Sequence, residues 1–273
     1  MVMSTLTIQD VLYLGSNKSN IKKIDKDAIL PFLILPLLLL AATINRTITI
    51  IIMVVIGMCA LYIISRPRQK NRSPFFFSWT LSSGVWMFLV YEIAILGLLE
   101  ITQFENFIFF ILLLCTCYFF YKVKAIADFE LATGPSKGKE YSPVLTSDSH
   151  YCQVCQIEVN DRFFHSIWWN CCIVRQNYMH FLAGQIFAFS TLLFGINLGL
   201  TTVCQPFLLY GTILLPENCE NVYYDFQYAI AFVCCVYALG YLCIVTFVLM
   251  HQIVIYIPKY MAPQWKKLVS VTV

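Results

Sequence analysis

Six long apolar runs, joined by short polar connectors, leave this chain few folds to choose from. They extend over Ala28 to Ile44, Thr47 to Ser65, Pro74 to Leu99, Phe107 to Tyr121, Phe181 to Cys204 and Phe226 to Ile257. A helix rises about 1.5 Å per residue and the hydrocarbon core of a bilayer is about 30 Å thick, so each of the first two runs is close to a minimal span. The pattern predicts an all-α integral membrane protein of about six transmembrane helices, the first two forming a hairpin that turns at Asn45–Arg46. Composition agrees: 59% of the residues are hydrophobic and 12% charged, with a mean hydropathy of +0.73. Soluble domains carry about a quarter charged residues, so this chain has too few to cover a water-facing surface. The net charge of +3 is small and spread over several loops, which excludes nucleic acid as a partner.

Charge also orients the spans. Lys18, Lys22, Lys23 and Lys26 precede the first run, and Arg66, Arg68, Lys70 and Arg72 crowd the second connector. Lys122 and Lys124 follow the fourth run, and Lys259, Lys266 and Lys267 follow the sixth. The other connectors hold Asn45–Arg46, the acidic stretch 100–106, and a stretch 205–225 with no Lys or Arg. By the positive-inside rule both termini are cytoplasmic, and Arg46 is the one cation against the trend. The expected organisation is a cytoplasmic N-terminus (1–27), four transmembrane helices (28–121), a cytoplasmic loop (122–180), two further helices (181–258) and a cytoplasmic tail (259–273). No stretch at the N-terminus reads as a cleaved signal peptide.

The twelve cysteines divide by environment. Cys59, Cys115, Cys117, Cys234, Cys235 and Cys243 lie in apolar runs, where Cys acts as a small hydrophobe. Cys204 and Cys219 fall on the lumenal side, where they could pair, whereas those of 152–172 face the reducing cytoplasm. Asn45-Arg46-Thr47 is a glycosylation sequon too close to the bilayer to be expected to carry a glycan. Glu92 and His251 stand singly in apolar runs and read as interfacial or bonded to a neighbouring helix. With no buried ionisable pair and no broken paired helices, a transporter or channel is disfavoured.

The loop 122–180 carries the chemistry, in the segment 151–181. Cys152 and Cys155 form a C-x2-C, His165 follows after nine residues, and Cys171–Cys172 come next. On the cytoplasmic side, clustered Cys and His at short spacing favour zinc over a disulfide, because thiolates and imidazole satisfy a tetrahedral ion. Cys152, Cys155, His165 and one of Cys171 or Cys172 would supply four ligands; the alternative is a set of thiols on a juxtamembrane loop.

This segment resembles the cysteine-rich domain of the DHHC-type protein S-palmitoyltransferases. The likeness rests on Tyr151-Cys152-Gln153-Val154-Cys155-Gln156 at its start, and on Trp168, Cys172-Ile173, Asn177-Tyr178 and Phe181 leading into a span. The central part of the family domain is missing. Phe163-Phe164-His165-Ser166 stands where the family carries Asp-His-His-Cys, Val174 replaces a Gly, and the tail lacks the family's Thr-Thr-x-Glu. The resemblance implies a multi-pass protein of an endomembrane, endoplasmic reticulum or Golgi. It also implies palmitoyl-CoA as acyl donor, cytoplasmic substrate or partner proteins, and transfer of the acyl chain to protein cysteine through an acyl-enzyme. It places Ser166 and His165 at the catalytic position, Trp168 and Asn177 on the cofactor-binding surface, and at most one zinc on Cys152, Cys155, His165 and Cys172. A Ser hydroxyl is far less acidic than a thiol, so the family mechanism is expected to be impaired. The alternative expectation is a non-enzymatic membrane scaffold or adaptor that displays the 122–180 loop.

Overall fold

The computed structural model describes residues 26–65, 74–98, 101–133, 149–155, 157–209, 213–258 and 260. The basic clusters read above at 18–23, 66–72 and 266–267, and most of the Gly/Pro/Ser-rich part of the loop, lie outside them. Six helices carry the chain: α1 (Lys26–Ala42), α2 (Arg46–Ser65), α3 (Phe75–Val90), α4 (Gln103–Thr133), α5 (Arg175–Val203) and α6 (Phe226–His251). Turns of π-helix extend α3 (Tyr91–Ile95) and α6 (Gln252–Tyr256). Helices are the natural answer to these runs, since lipid offers nothing to an unpaired backbone N–H or C=O.

Four spans are long and apolar enough to cross a bilayer: Phe75–Leu98, Gln103–Phe129, Arg175–Val203 and Phe226–Tyr256. Ala28–Ala42 and Arg46–Tyr62 are shorter apolar helices. The protein is thus an all-α, multi-pass membrane protein. Its outer surface shows the same solvent preference, with Leu37 65%, Leu61 64%, Ile93 73% and Phe247 74% exposed. In water such a girdle would drive aggregation; in hydrocarbon it needs no cover.

Local sequence sets the helix ends. Asn45 Oδ1 accepts from Ile48 N at 2.8 Å and so starts α2 at the hairpin turn. Thr102 and Glu105 cap α4 reciprocally, Thr102 N donating to Glu105 Oε2 at 2.9 Å and Glu105 N to Thr102 Oγ1 at 3.3 Å. Asp225 Oδ1 accepts from Gln227 N at 2.7 Å at the head of α6. Two bounds differ from the sequence reading. α4 continues past Tyr121 to Thr133, its charged end held by a Lys124–Asp128 ion pair of 3.1 Å one turn apart. α5 begins at Arg175, directly after a strand, rather than at Phe181.

Inside the bundle, α3 meets α1 through Ser82 Oγ, which donates to Pro31 O at 3.2 Å. Ser83 Oγ lies 2.8 Å from both Tyr237 and Tyr241 hydroxyls of α6. Near the opposite end Gln227 Nε2 donates to Ala94 O at 2.9 Å, occupying a carbonyl of the π turn in α3. α5 packs on α6 where Gly199 sits against the Cys235 sulfur, an approach too close for any side chain. Past α5, Cys204 and Cys219 form a disulfide (Cα–Cα 4.6 Å) at the base of an antiparallel hairpin.

Before α5 stand two more antiparallel hairpins: β1 (Ser149–Cys152) with β2 (Ile157–Asn160), and β3 (Arg162–Ser166) with β4 (Cys171–Val174). Asp161 (φ 50°) and Asn170 (φ 47°) take left-handed conformations in the turns, as short polar side chains tolerate. The segment read as a loop is therefore a small β finger fused to the head of α5. Its strands have four or five residues each, too short to show a convincing alternation in sequence. The hairpin closed by the disulfide supplies β5 (Gln205–Leu209) and β6 (Ile213–Asn218).

Candidate metal centre and nucleophile position

The finger brings together Cys152 at the end of β1, Cys155 in the turn that follows, His165 on β3 and Cys172 on β4. One ligand atom from each lies within 4.8 Å of every other. His165 Nδ1 stands 3.7 Å from Cys152 Sγ, 3.5 Å from Cys155 Sγ and 3.7 Å from Cys172 Sγ, and the Cys155 and Cys172 sulfurs are 3.6 Å apart. With zinc bonds of about 2.3 Å to sulfur and about 2.0–2.1 Å to nitrogen, the edges of a tetrahedron are roughly 3.8 Å for S–S and roughly 3.6 Å for S–N. The measured separations fit both edges, so the donor set suits one zinc ion in chemistry and in geometry. Cross-strand pairing sets part of this spacing, because His165 and Cys172 are register partners.

Three sulfurs around one imidazole also make an electrostatic trap for a thiolate. Hydrogen bonds from Cys155 and then Cys172 hold the Cys152 thiol well below its ordinary value, against the opposing effect of burial. A backbone bond, from Cys155 N to Cys152 Sγ at 3.5 Å, acts in the same direction.

The strand pleat sorts the remaining residues. Cys172 and Val174 pack beside Cys152 on one face of the finger. Cys171 and Ile173 point to the other face, against Phe120, Val123 and Phe181 of the helices. Ser166 is the register partner of Cys171, and its Oγ accepts from Trp169 N at 3.4 Å. His165, one residue back, turns its Nδ1 to the sulfurs on the opposite face. Thus the structure brings His165 to the metal-ligand set and leaves Ser166 buried, 6% exposed, beside the membrane helices.

Asn177 is fully buried, and its amide is committed to the backbone. Its Oδ1 accepts from Val174 N at 2.9 Å, while Nδ2 donates to Cys172 O at 3.1 Å and Val123 O at 3.3 Å. It therefore ties the last zinc-site strand to both α5 and α4. Trp168 meets Phe76 edge-on with centroids 5.2 Å apart, and Trp169 stacks on Phe120 at 4.0 Å, so the two indoles dock the finger on α3 and α4.

The sequence reading missed an aromatic cluster. Phe163 packs on Tyr178 at 5.1 Å and Tyr256 at 6.1 Å, and Phe164 on Tyr256 at 4.8 Å and Phe181 at 5.7 Å. Tyr260 stacks on Tyr178 at 5.3 Å and lies under the Arg175 guanidinium at 5.2 Å. The signal was present: two adjacent Phe replace polar positions, and two Tyr sit one helical turn apart at the end of α6.

Comparison with known proteins gives this finger a lineage. Residues 139–264 match the family model for the DHHC palmitoyltransferase domain. This match supports reading the chain as a DHHC-type palmitoyltransferase family member. It is similar to the human palmitoyltransferase ZDHHC23, 27% identical over 112 residues that cover 39% of this chain and 27% of the relative. The rat ZDHHC23 is 28% identical over 109 residues, covering 38% and 25%, and the zebrafish ZDHHC23-B is 29% identical over 107 residues, covering 39% and 23%. The match spans only about a quarter of the length of these relatives.

Proposed function

We propose that this protein is a DHHC-type S-acyltransferase homologue of an endomembrane, endoplasmic reticulum or Golgi, whose nucleophile position is impaired. In this reading six spans place both termini and the finger in the cytoplasm. Cys152, Cys155, His165 and Cys172 hold one structural zinc, which would fix the hairpins relative to each other. The separations of 3.5 to 3.7 Å among these donors carry the reading. Redox placement supports the orientation: the thiol cluster precedes α5 and the Cys204–Cys219 disulfide follows it, about 43 Å apart along 29 residues.

Palmitoyl-CoA would approach the face that Ser166 shares with Phe164. There the family step needs a thiolate to attack the thioester and expel CoA. Among the described residues Ser166 has no hydrogen-bonded base, since His165 is turned to the sulfurs, and an unassisted hydroxyl does not make that attack at neutral pH. Phe163 and Phe164, where the family carries Asp and His, are spent on packing, which favours a second reading as an adaptor that presents the finger to cytoplasmic proteins. Alkyne-palmitoyl-CoA labelling of purified protein separates the two. Background labelling of the wild type with hydroxylamine-sensitive labelling of Ser166→Cys supports retained acyl-donor binding behind a lost nucleophile. No labelling of a folded, zinc-loaded Ser166→Cys variant sinks that reading in favour of the adaptor.

A further inference from the structure

Two glutamines lie within the membrane-spanning part of the bundle with no explanation in the site above. Gln185 on α5 and Gln252 in the π turn that extends α6 are 7% and 2% exposed, and neither side-chain oxygen has a hydrogen-bond partner among the described residues. In hydrocarbon such an oxygen is satisfied by a protein group or a ligand or not at all.

Helix register puts the two at one level. α5 and α6 run antiparallel, with Tyr178 stacked on Tyr260 at one end and Gly199 against Cys235 at the other. Gln185 follows Tyr178 by seven residues and Gln252 precedes Tyr260 by eight, so both lie about 10–12 Å along the pair from that stack. Gln185 continues the stripe of Tyr178 and Phe181, and Gln252 that of Tyr256 and Tyr260, so both face the same seam beneath the aromatic cluster. The depth follows from α4, where Phe120 packs against Gly184, and from the charge pattern of the sequence, which sets the membrane boundary at Lys122, two residues further on. The carboxamides thus sit a few ångströms inside that boundary, at the level of a lipid's neck rather than of its headgroup or tails. Gln252 also opens the π turn Gln252–Tyr256, a local widening of the helix that recurs at functional sites.

We propose that Gln185 and Gln252 form an intramembrane site for a lipid whose neck carries an N–H or O–H donor, as a ceramide-type sphingoid or a diacylglycerol does. Both glutamine oxygens need donors. A phosphatidylcholine offers only ester carbonyls at this depth, which can accept from the glutamine Nε2 groups but leave both Oε1 atoms without a donor. The pair is packed closed in this structure; each glutamine side chain has three rotatable bonds, and the lipid enters as they swing aside. The proposal is independent of acyl transfer and of zinc.

The test uses full-length protein in phosphatidylcholine nanodiscs with photoactivatable, clickable ceramide, diacylglycerol or phosphatidylcholine of matched chain length. Ceramide, diacylglycerol or both should label α5 and α6 peptides about tenfold more than phosphatidylcholine, the factor one to two retained hydrogen bonds supply. Which of the two labels identifies the source of the donor. Gln185→Leu/Gln252→Leu should fall to the phosphatidylcholine level while remaining monodisperse with its disulfide intact. A ceramide O-methylated at its hydroxyls and N-methylated at its amide tests the wild type alone, and should label no better than phosphatidylcholine. Equal labelling by donor and donor-free lipids, or full labelling of a folded double variant, overturns the proposal.

Discussion

Replacing Asn177 should damage the finger from a distance, because this one amide fixes the junction of β4, α5 and α4. Asn177→Ala leaves Val174 N without its partner, which costs about 1–3 kcal/mol, and opens a small void where a fully buried side chain stood. The sum is about 2–4 kcal/mol, or roughly 5–15 °C in thermal midpoint for a protein of this size. Asn177→Asp keeps the shape and the acceptor but sets a carboxylate against Cys172 O and Val123 O, which Nδ2 now reaches at 3.1 and 3.3 Å. An unpaired buried charge costs several kcal/mol, so the Asp variant should be the less stable of the two at pH 7.5. That penalty exists only while the carboxyl is ionised. Lowering the pH toward 5 should therefore recover part of the Asp deficit, whereas the Ala deficit stays flat. Thermal unfolding of purified protein in detergent, followed by size-exclusion fluorescence across pH, reads both. An Asp variant as stable as wild type, or an Ala variant within 1 kcal/mol of it, would refute the reasoning.

Further outcomes follow from other contacts. Trp169→Ala removes the stack on Phe120 and should cost about 3–5 kcal/mol, detected as a lower midpoint and faster proteolysis of the finger. His165→Cys replaces the nitrogen donor with a fourth sulfur and should retain metal, whereas His165→Phe should lose it; metal analysis after desalting decides. Intact mass before and after alkylation without reductant should show Cys204 and Cys219 protected and the finger thiols reactive once zinc is chelated.

Much of this was legible in the sequence, because its cues were local. The spans announce themselves by length and apolarity, the Asn45–Arg46 turn by the polar break between two apolar runs, the disulfide by two cysteines flanking a Lys-free stretch, and the metal donors by C-x2-C with His and Cys behind. What could not be read depends on partners distant in sequence. The first four strands hold four or five residues each and acquire their identity by pairing. The charged end of α4 reads as a loop until Lys124 is seen to bridge Asp128 one turn on. Asn177 reads as a ligand-facing polar residue until its three backbone partners are in place, one of them, Val123, on another helix. Phe163 and Phe164 read only as lost catalytic groups, since the tyrosines that receive them are Tyr178 in the first turn of α5 and Tyr256 in the π turn that extends α6.

The central claim is one zinc ion on four named side chains of a DHHC-type finger, and counting metal per chain tests it most directly. Inductively coupled plasma mass spectrometry of the purified, desalted protein should give one zinc per chain, falling to background in Cys155→Ser and Cys172→Ser but not in Cys171→Ser. Two zincs per chain, none, or one that survives both ligand substitutions would contradict it.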